Sequence, residues 1–225
     1  MDIEVLRRAP LFASLDDQAF AALTDDITEV DLSRGATLFY EGDPGDQLYF
    51  IVSGKIKLGR TATDGRENLV AIMGPGEIFG EMALFDPSPR STSATAVSET
   101  RLAAVKHESL RKAMEKSPQI SAQVLQALAR RLRRTNENLA DLVFSDVPGR
   151  VAKALLDLAD RFGRPATDGI LVAHELTQEE LAQLVGASRE TVNKALAEFV
   201  SRGWIRLEAR AVVILDLQRL RTRSR

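Results

Sequence analysis

The sequence contains no cysteine. Disulfides, thiolate zinc sites, cysteine-ligated iron–sulfur clusters and a cysteine nucleophile are therefore excluded, and the composition fits a reducing, cytoplasmic setting. Histidine is almost as scarce: His107 and His174 stand alone and far apart. A haem sensor needs an axial ligand, and a chain so poor in Cys and His offers few. No run of about 18 apolar residues occurs, so no membrane-spanning helix is expected. The opening MDIEVLRRAPLF has no long apolar stretch after its charges, so no secretory leader is expected. No Walker lysine motif, metal-ligand cluster or triad spacing is found, which argues against a nucleotide-processing enzyme.

What is present is ordinary for a globular protein: 225 residues, 44% hydrophobic and 28% charged. That length supports two small domains, each with a core. The net charge of −2 hides an asymmetry. Residues 1–146 carry 17 Lys+Arg against 22 Asp+Glu, whereas residues 147–225 carry 13 against 10. An acidic front and a basic back suggest two separate tasks.

Residues 1–30 read as short helices, with apolar positions at helical spacing through Leu15, Phe20, Leu23 and Ile27. Short β-prone runs follow: Thr37–Tyr40, Leu48–Val52, Lys55–Arg60, Asn68–Met73, Ser93–Val97 and Arg101–Val105. Turn signals separate them, among them Pro44-Gly45, Ser53-Gly54 and Gly74-Pro75-Gly76. Asp64-Gly65 marks a hairpin, because a type I′ turn needs positive φ at both central residues. Many short strands at regular spacing predict a sandwich or barrel of the jelly-roll kind.

After Pro118 the apolar spacing becomes helical. Leu125, Leu128, Leu132, Thr135, Leu139 and Leu142 are separated alternately by three and four residues. That is the seam of two helices packed along their length, in preference to one helix lying on its own domain. Thr135 and Asn136 interrupt the seam with polar groups, which fix register or touch a partner. The basic run Ala129–Arg134 falls on the outer face and reads as solvated, with Arg131 a minor candidate for a ligand contact. Asp146-Val147-Pro148-Gly149 reads as a hinge.

Residues 176–203 hold two helical segments around Gly186. Thr177 and Glu180 have the spacing of a capping box. Ser188 caps the second segment, whose Val192, Leu196 and Phe199 face inward. Arg189, Glu190, Asn193 and Lys194 share its outward side, where a recognition helix meets base edges. An ordinary helical hairpin with a solvated face has the same spacing. Trp204–Leu207 and Val212–Leu215 are expected to form a wing. Upstream, residues 79–94 gather Gly80, Glu81, Arg90 and Ser91. A guanidinium beside a hydroxyl suits one anionic phosphate, and a carboxylate can accept from a ribose hydroxyl. By themselves, Glu81 and Arg90 read equally well as a structural ion pair.

The run VGASRETVNKAL resembles the DNA-binding helix of the CRP/FNR family of transcriptional regulators, and FGEMALFDPSPRSTSA resembles its phosphate-binding cassette. The likeness covers nearly the whole chain and is nearest to the cAMP-receptor-type regulators of high-GC Gram-positive bacteria. It implies an α+β chain: an N-terminal jelly-roll cyclic-nucleotide domain (residues 1–116), a dimerisation helix (117–145) and a winged helix-turn-helix domain (146–225). It implies that Gly80 and Glu81 hold a ribose and that Arg90 and Ser91 hold the cyclic phosphate of cAMP. Met82 and Ala83 would form the rim, Leu58 and Val70 the apolar walls, and Thr135 and Asn136 would meet the purine. It implies base contacts by Arg189, Glu190 and Lys194, with Thr177 and Ser188 nearer phosphates. The expected partners are double-stranded DNA, a second copy of the chain, the cyclic nucleotide and RNA polymerase. DNA binding independent of ligand is the alternative within the same fold.

Overall fold

The computed structural model describes Leu6, Arg7, Phe12, Phe20, Thr24, residues 26–63, Gly65 and residues 67–224. Leu15, Leu23 and Asp64, which carry part of the sequence reading, lie outside the described residues. The chain divides into two compact units, residues 1–61 with 70–134 and residues 62–69 with 135–225.

The first unit is built on two four-stranded antiparallel sheets. The strands are β1 (Thr28–Leu32), β2 (Thr37–Phe39), β3 (Gln47–Ser53), β4 (Ile56–Thr61), β5 (Glu67–Met73), β6 (Ile78–Phe79), β7 (Ser93–Ala96) and β8 (Thr100–Lys106). One sheet has the order β1-β8-β3-β6 and the other β2-β7-β4-β5. The apolar run Leu48-Tyr49-Phe50-Ile51 explains the arrangement. Successive side chains of a strand point to opposite faces, and here both faces are covered. Tyr49 and Ile51 join Phe39, Leu58, Phe79 and Ala94 between the sheets. Leu48 and Phe50 join a second core with Leu6, Phe12, Phe20, Leu84, Leu110 and Val124. The jelly-roll expectation corresponds to this double layer.

Two departures from the sequence reading occur here. Residues 28–30, expected to be helical, belong instead to an edge strand, Thr28–Leu32, paired with β8. Their side chains are mostly exposed, so the apolar spacing carries no strand signal. Between β6 and β7 lies a short helix, α1 (Met82–Phe85), with Glu81 at its N-cap position. Helix α2 (His107–Lys116) and helix α3 (Pro118–Phe144) follow β8. Of the expected seam residues, Leu125, Leu132, Leu139 and Leu142 are between 51% and 62% exposed on α3, whereas Leu128 is packed against the core that holds Val124 and does not belong to the exposed stripe. No helix among the described residues is long and apolar enough to cross a membrane.

In the second unit α4 (Val147–Phe162), α5 (Gln178–Val185) and α6 (Arg189–Ser201) enclose a core of Val151, Leu155, Leu181, Val192, Leu196 and Phe199. A sheet ordered β11-β12-β10-β9 closes it, made of β9 (Gly163–Ala166), β10 (Gly169–Val172), β11 (Ile205–Glu208) and β12 (Ala211–Ile214). The expected wing is β11 with β12. A final helix, α7 (Leu217–Arg223), buries Leu220 in the same core.

The expected hinge at Asp146–Gly149 takes a different form. Asp146 caps α4, accepting from Gly149 N–H at 2.9 Å. Pro148 sits within the first turn, where its missing N–H costs nothing. The break is confined to Ser145-Asp146, and polar contacts span it. Lys153 Nζ lies 2.5 Å from Asp141 Oδ2. Arg150 donates to Ser145 O at 2.7 Å and to Val185 O at 2.9 Å.

Candidate ligand pocket and nucleic-acid interface

The cassette is assembled around Gly80. Its φ of +82° is ordinary only for glycine, and a Cβ there would come within 2.7 Å of Arg90 Nη1. The absent side chain lets the guanidinium lie against the backbone. Arg90 Nη1 donates to Gly80 O and Nη2 to Gln47 O, each at 2.9 Å. Its Cζ sits 4.3 Å from the centroid of the Phe39 ring. Arg90 is thereby held 6% exposed. Burial pulls its pKa down, and the nearby Tyr49, Asp46, Glu81 and Asp43 pull it back.

Gly80 O also meets His107 Nε2 at 3.2 Å. A carbonyl only accepts, so Nε2 carries the hydrogen. Burial holds this imidazole below its ordinary value, against the Gly80 bond that raises it.

Glu81 is 1% exposed. Its partner is Arg131, whose Nη1 lies 2.5 Å from Glu81 Oε1, while Nη2 donates to Ile78 O at 2.5 Å. The Glu81–Arg90 ion pair left open by the sequence is thus replaced by Glu81–Arg131. Arg131 is not a solvated residue of the outer face: it reaches back across the sequence to the loop bearing Gly80. One turn on, Arg134 Nη1 stands 3.3 Å from Glu77 Oε1, and Glu77 Oε2 accepts from Gly74 N–H at 2.7 Å.

After these bonds two buried side-chain polar atoms of the cassette, Glu81 Oε2 and Arg90 Nε, have no partner among the described residues. Arg90 Nε faces Gly45, where a Cβ would approach it to 2.9 Å and the Ala83 Cβ to 3.1 Å. Ser91 is exposed and its Oγ lies 3.6 Å from Met82 Sδ. So the structure gathers Gly80, Glu81, Met82, Ala83, Arg90 and Ser91 in one region. Leu58 lies in the core between the sheets, while Val70 is 39% exposed. Thr135 and Asn136 are exposed on α3.

In the second unit Thr177 and Glu180 complete the capping box. Glu180 N–H donates to Thr177 Oγ1 at 3.1 Å, and Thr177 N–H to Glu180 Oε2 at 2.8 Å. Gly186 ends α5 in the left-handed region, at φ +65°. Ser188 Oγ then accepts from Thr191 N–H at 3.2 Å and opens α6. Arg189, Glu190 and Lys194 are exposed on α6, and Lys194 Nζ lies 2.7 Å from Glu190 Oε1. Asn193 departs from the outward face. It is half-buried, and its Oδ1 is buried without a partner among the described residues. It sits beside Val192, at the border of the apolar stripe.

A sandwich with a buried acid and guanidinium, followed by a long helix and a winged helix-turn-helix, defines the class of ligand-responsive DNA-binding regulators. The cyclic nucleotide-binding domain model matches residues 29–117, and the Crp-like helix-turn-helix domain model matches residues 149–223. The chain is 58% identical over 222 residues to the CRP-like cAMP-activated global transcriptional regulator of Mycobacterium tuberculosis, covering 99% of both chains. It is 38% identical to the cyclic AMP receptor protein of Thermus thermophilus over 81% of this chain and 84% of that one. Among solved structures, FixK2 from Bradyrhizobium japonicum superposes with a TM-score of 0.80 at 25% identity, covering 88% of this chain and 98% of that one. The chain belongs to the CRP/FNR family of transcriptional regulators.

Proposed function

We propose that this chain is a homodimeric, cAMP-responsive transcription factor that binds a pseudo-palindromic operator. The supporting observation is the pair of unpartnered buried atoms, Glu81 Oε2 and Arg90 Nε. A buried polar atom left unpaired costs about 1–3 kcal/mol. A ribose hydroxyl donating to Glu81 and a cyclic phosphate accepting from Arg90 remove both costs at once. Ser91 and the backbone of Met82 and Ala83 complete the phosphate site, and Leu58 and Val70 flank the base. Thr135 and Asn136 meet the purine from a seam whose exposed leucines are covered by a second copy.

Arg189, Glu190 and Lys194 read bases, and Thr177 and Ser188 stand near phosphates. Asn193 is at most an edge contact of that face. Ligand binding shifts the population toward the arrangement that presents both recognition helices about 34 Å apart. RNA polymerase and a cytoplasmic setting belong to this reading, with domain limits near residues 116 and 146. No catalytic role is assigned.

Calorimetric titration with cAMP tests the pocket. One site per chain is expected, with no turnover of the nucleotide. Glu81→Gln is expected to bind about tenfold or more weakly, because a charged acceptor is replaced by a neutral one. No heat at millimolar cAMP, or hydrolysis of the nucleotide, overturns the assignment.

A further inference from the structure

The charge of the DNA-binding unit is unevenly placed. Residues 147–216 carry nine Lys+Arg and ten Asp+Glu. Residues 217–225 carry four arginines and no acid. The whole positive balance of this half therefore comes from its last segment, not from the helix-turn-helix.

Within that segment, α7 is fixed in place by packing and polar contacts. Asp216 caps α7, accepting from Arg219 N–H at 2.9 Å, and Leu220 is fully buried. Arg223 Nη2 donates to Asp146 Oδ2 at 2.6 Å. A Cβ on Gly149 would lie 3.3 Å from Arg223 Nη1 and 3.4 Å from Arg223 O, so α7 ends against the first turn of α4. The same turn holds the helix-turn-helix, since Arg150 Nη2 reaches Gly186 O at 3.3 Å. Gly186 stands two residues before the cap of the base-reading helix α6. The arginine segment and the start of α6 thus converge on one turn of α4. Arg219 and Arg221 are exposed on the two flanks of α7 beside the buried Leu220, and among the described residues the acidic partner of this helix, Asp146, is held by Arg223.

We propose that α7 forms a second nucleic-acid contact, with Arg219 and Arg221 donating to backbone phosphates beside the groove that α6 enters. This rests on the DNA-binding reading above and adds a site to it. Phosphate contacts position a protein and carry no sequence information. Their loss weakens all sequences alike and lowers the salt dependence of binding, by about one in slope per contact.

The test is fluorescence anisotropy with a labelled random-sequence duplex of about four helical turns, titrated across a range of salt. Arg219→Gln/Arg221→Gln is expected to lower the slope of log affinity against log salt by about one to two. Its affinity is expected to fall roughly threefold to tenfold at low salt, with an unchanged melting temperature. Arg130→Gln/Arg133→Gln, a matched change of charge on α3, is expected to leave the slope unchanged. An unaltered slope in the first variant overturns the proposal, as does an equal loss in the second, which reduces the effect to overall charge. A wild-type chain that binds no duplex overturns the DNA-binding reading itself, an outcome distinct from both.

Discussion

Arg131→Met removes the guanidinium from a buried carboxylate and keeps most of the side-chain volume. Glu81 is 1% exposed and its second oxygen already lacks a partner among the described residues. After the change neither oxygen is answered, and Ile78 O loses the donor that stood 2.5 Å away. Breaking a fully buried pair costs roughly 3–5 kcal/mol, because the remaining charge stays desolvated. The Arg131 side chain is 26% exposed, so water screens part of that. The expected loss is therefore about 2–3 kcal/mol of stability in the first unit. Urea denaturation followed by far-ultraviolet circular dichroism measures it, and fluorescence of Trp204, in the second unit, supplies an internal reference. Glu81→Gln in the Arg131→Met background is expected to recover at least about 1 kcal/mol, since the stranded charge is gone. If Arg131→Met lies within about 0.5 kcal/mol of the parent, the pair does not hold the cassette loop as described.

Three further outcomes follow from the same geometry. His107 is held below its ordinary value of 6.5 by burial. The unfolded chain therefore binds a proton more readily, so stability is full above that value and falls as pH drops below it, levelling under the lower folded value. A His107→Gln variant should flatten that limb of a melting-temperature profile; an unchanged limb assigns it to other groups. Gly80→Ala places a Cβ 2.7 Å from Arg90 Nη1 at a φ of +82°. It should cost about 1–2 kcal/mol in backbone strain alone, visible as a lowered melting temperature. Arg189→Ala should cost about 1–3 kcal/mol on the preferred operator and relax selection at one base pair, as read by binding to single-substituted duplexes. A uniform loss across all of them would make Arg189 a phosphate contact.

The parts of the fold that were legible in sequence are those where local signals agree with the core. The run Leu48–Ile51 is apolar on both faces because both are covered. Thr177, Glu180, Gly186 and Ser188 mark helix ends by their own hydrogen bonds, so spacing alone located them. The edge strand Thr28–Leu32 was hidden because its pairing with β8 is long-range and its side chains are mostly exposed. The short strand Ile78–Phe79 is only two residues long. Within the candidate site, Gly80, Glu81, Arg90 and Ser91 were found as a motif. Arg131 is only a minor candidate in the sequence, because helical periodicity describes where Cα lies, not how far a long side chain reaches. Its link to Glu81 spans fifty residues. The helix break expected across Asp146–Gly149 falls at Ser145-Asp146 for the opposite reason. Proline breaks a helix interior but suits its first turn, and Asp146 supplies the cap that starts α4 there.

In the proposed function a cyclic nucleotide on Glu81 and Arg90 sets the affinity of α6 for DNA. The most direct measurement of this is the affinity of the wild-type chain, with and without cAMP, for a pseudo-palindromic duplex that the chain itself selects from a random pool. A gain of roughly 5- to 150-fold with cAMP is predicted, absent in a folded Arg90→Gln variant. Equal affinity with and without cAMP would contradict the account and make this a ligand-independent DNA-binding protein on the same fold.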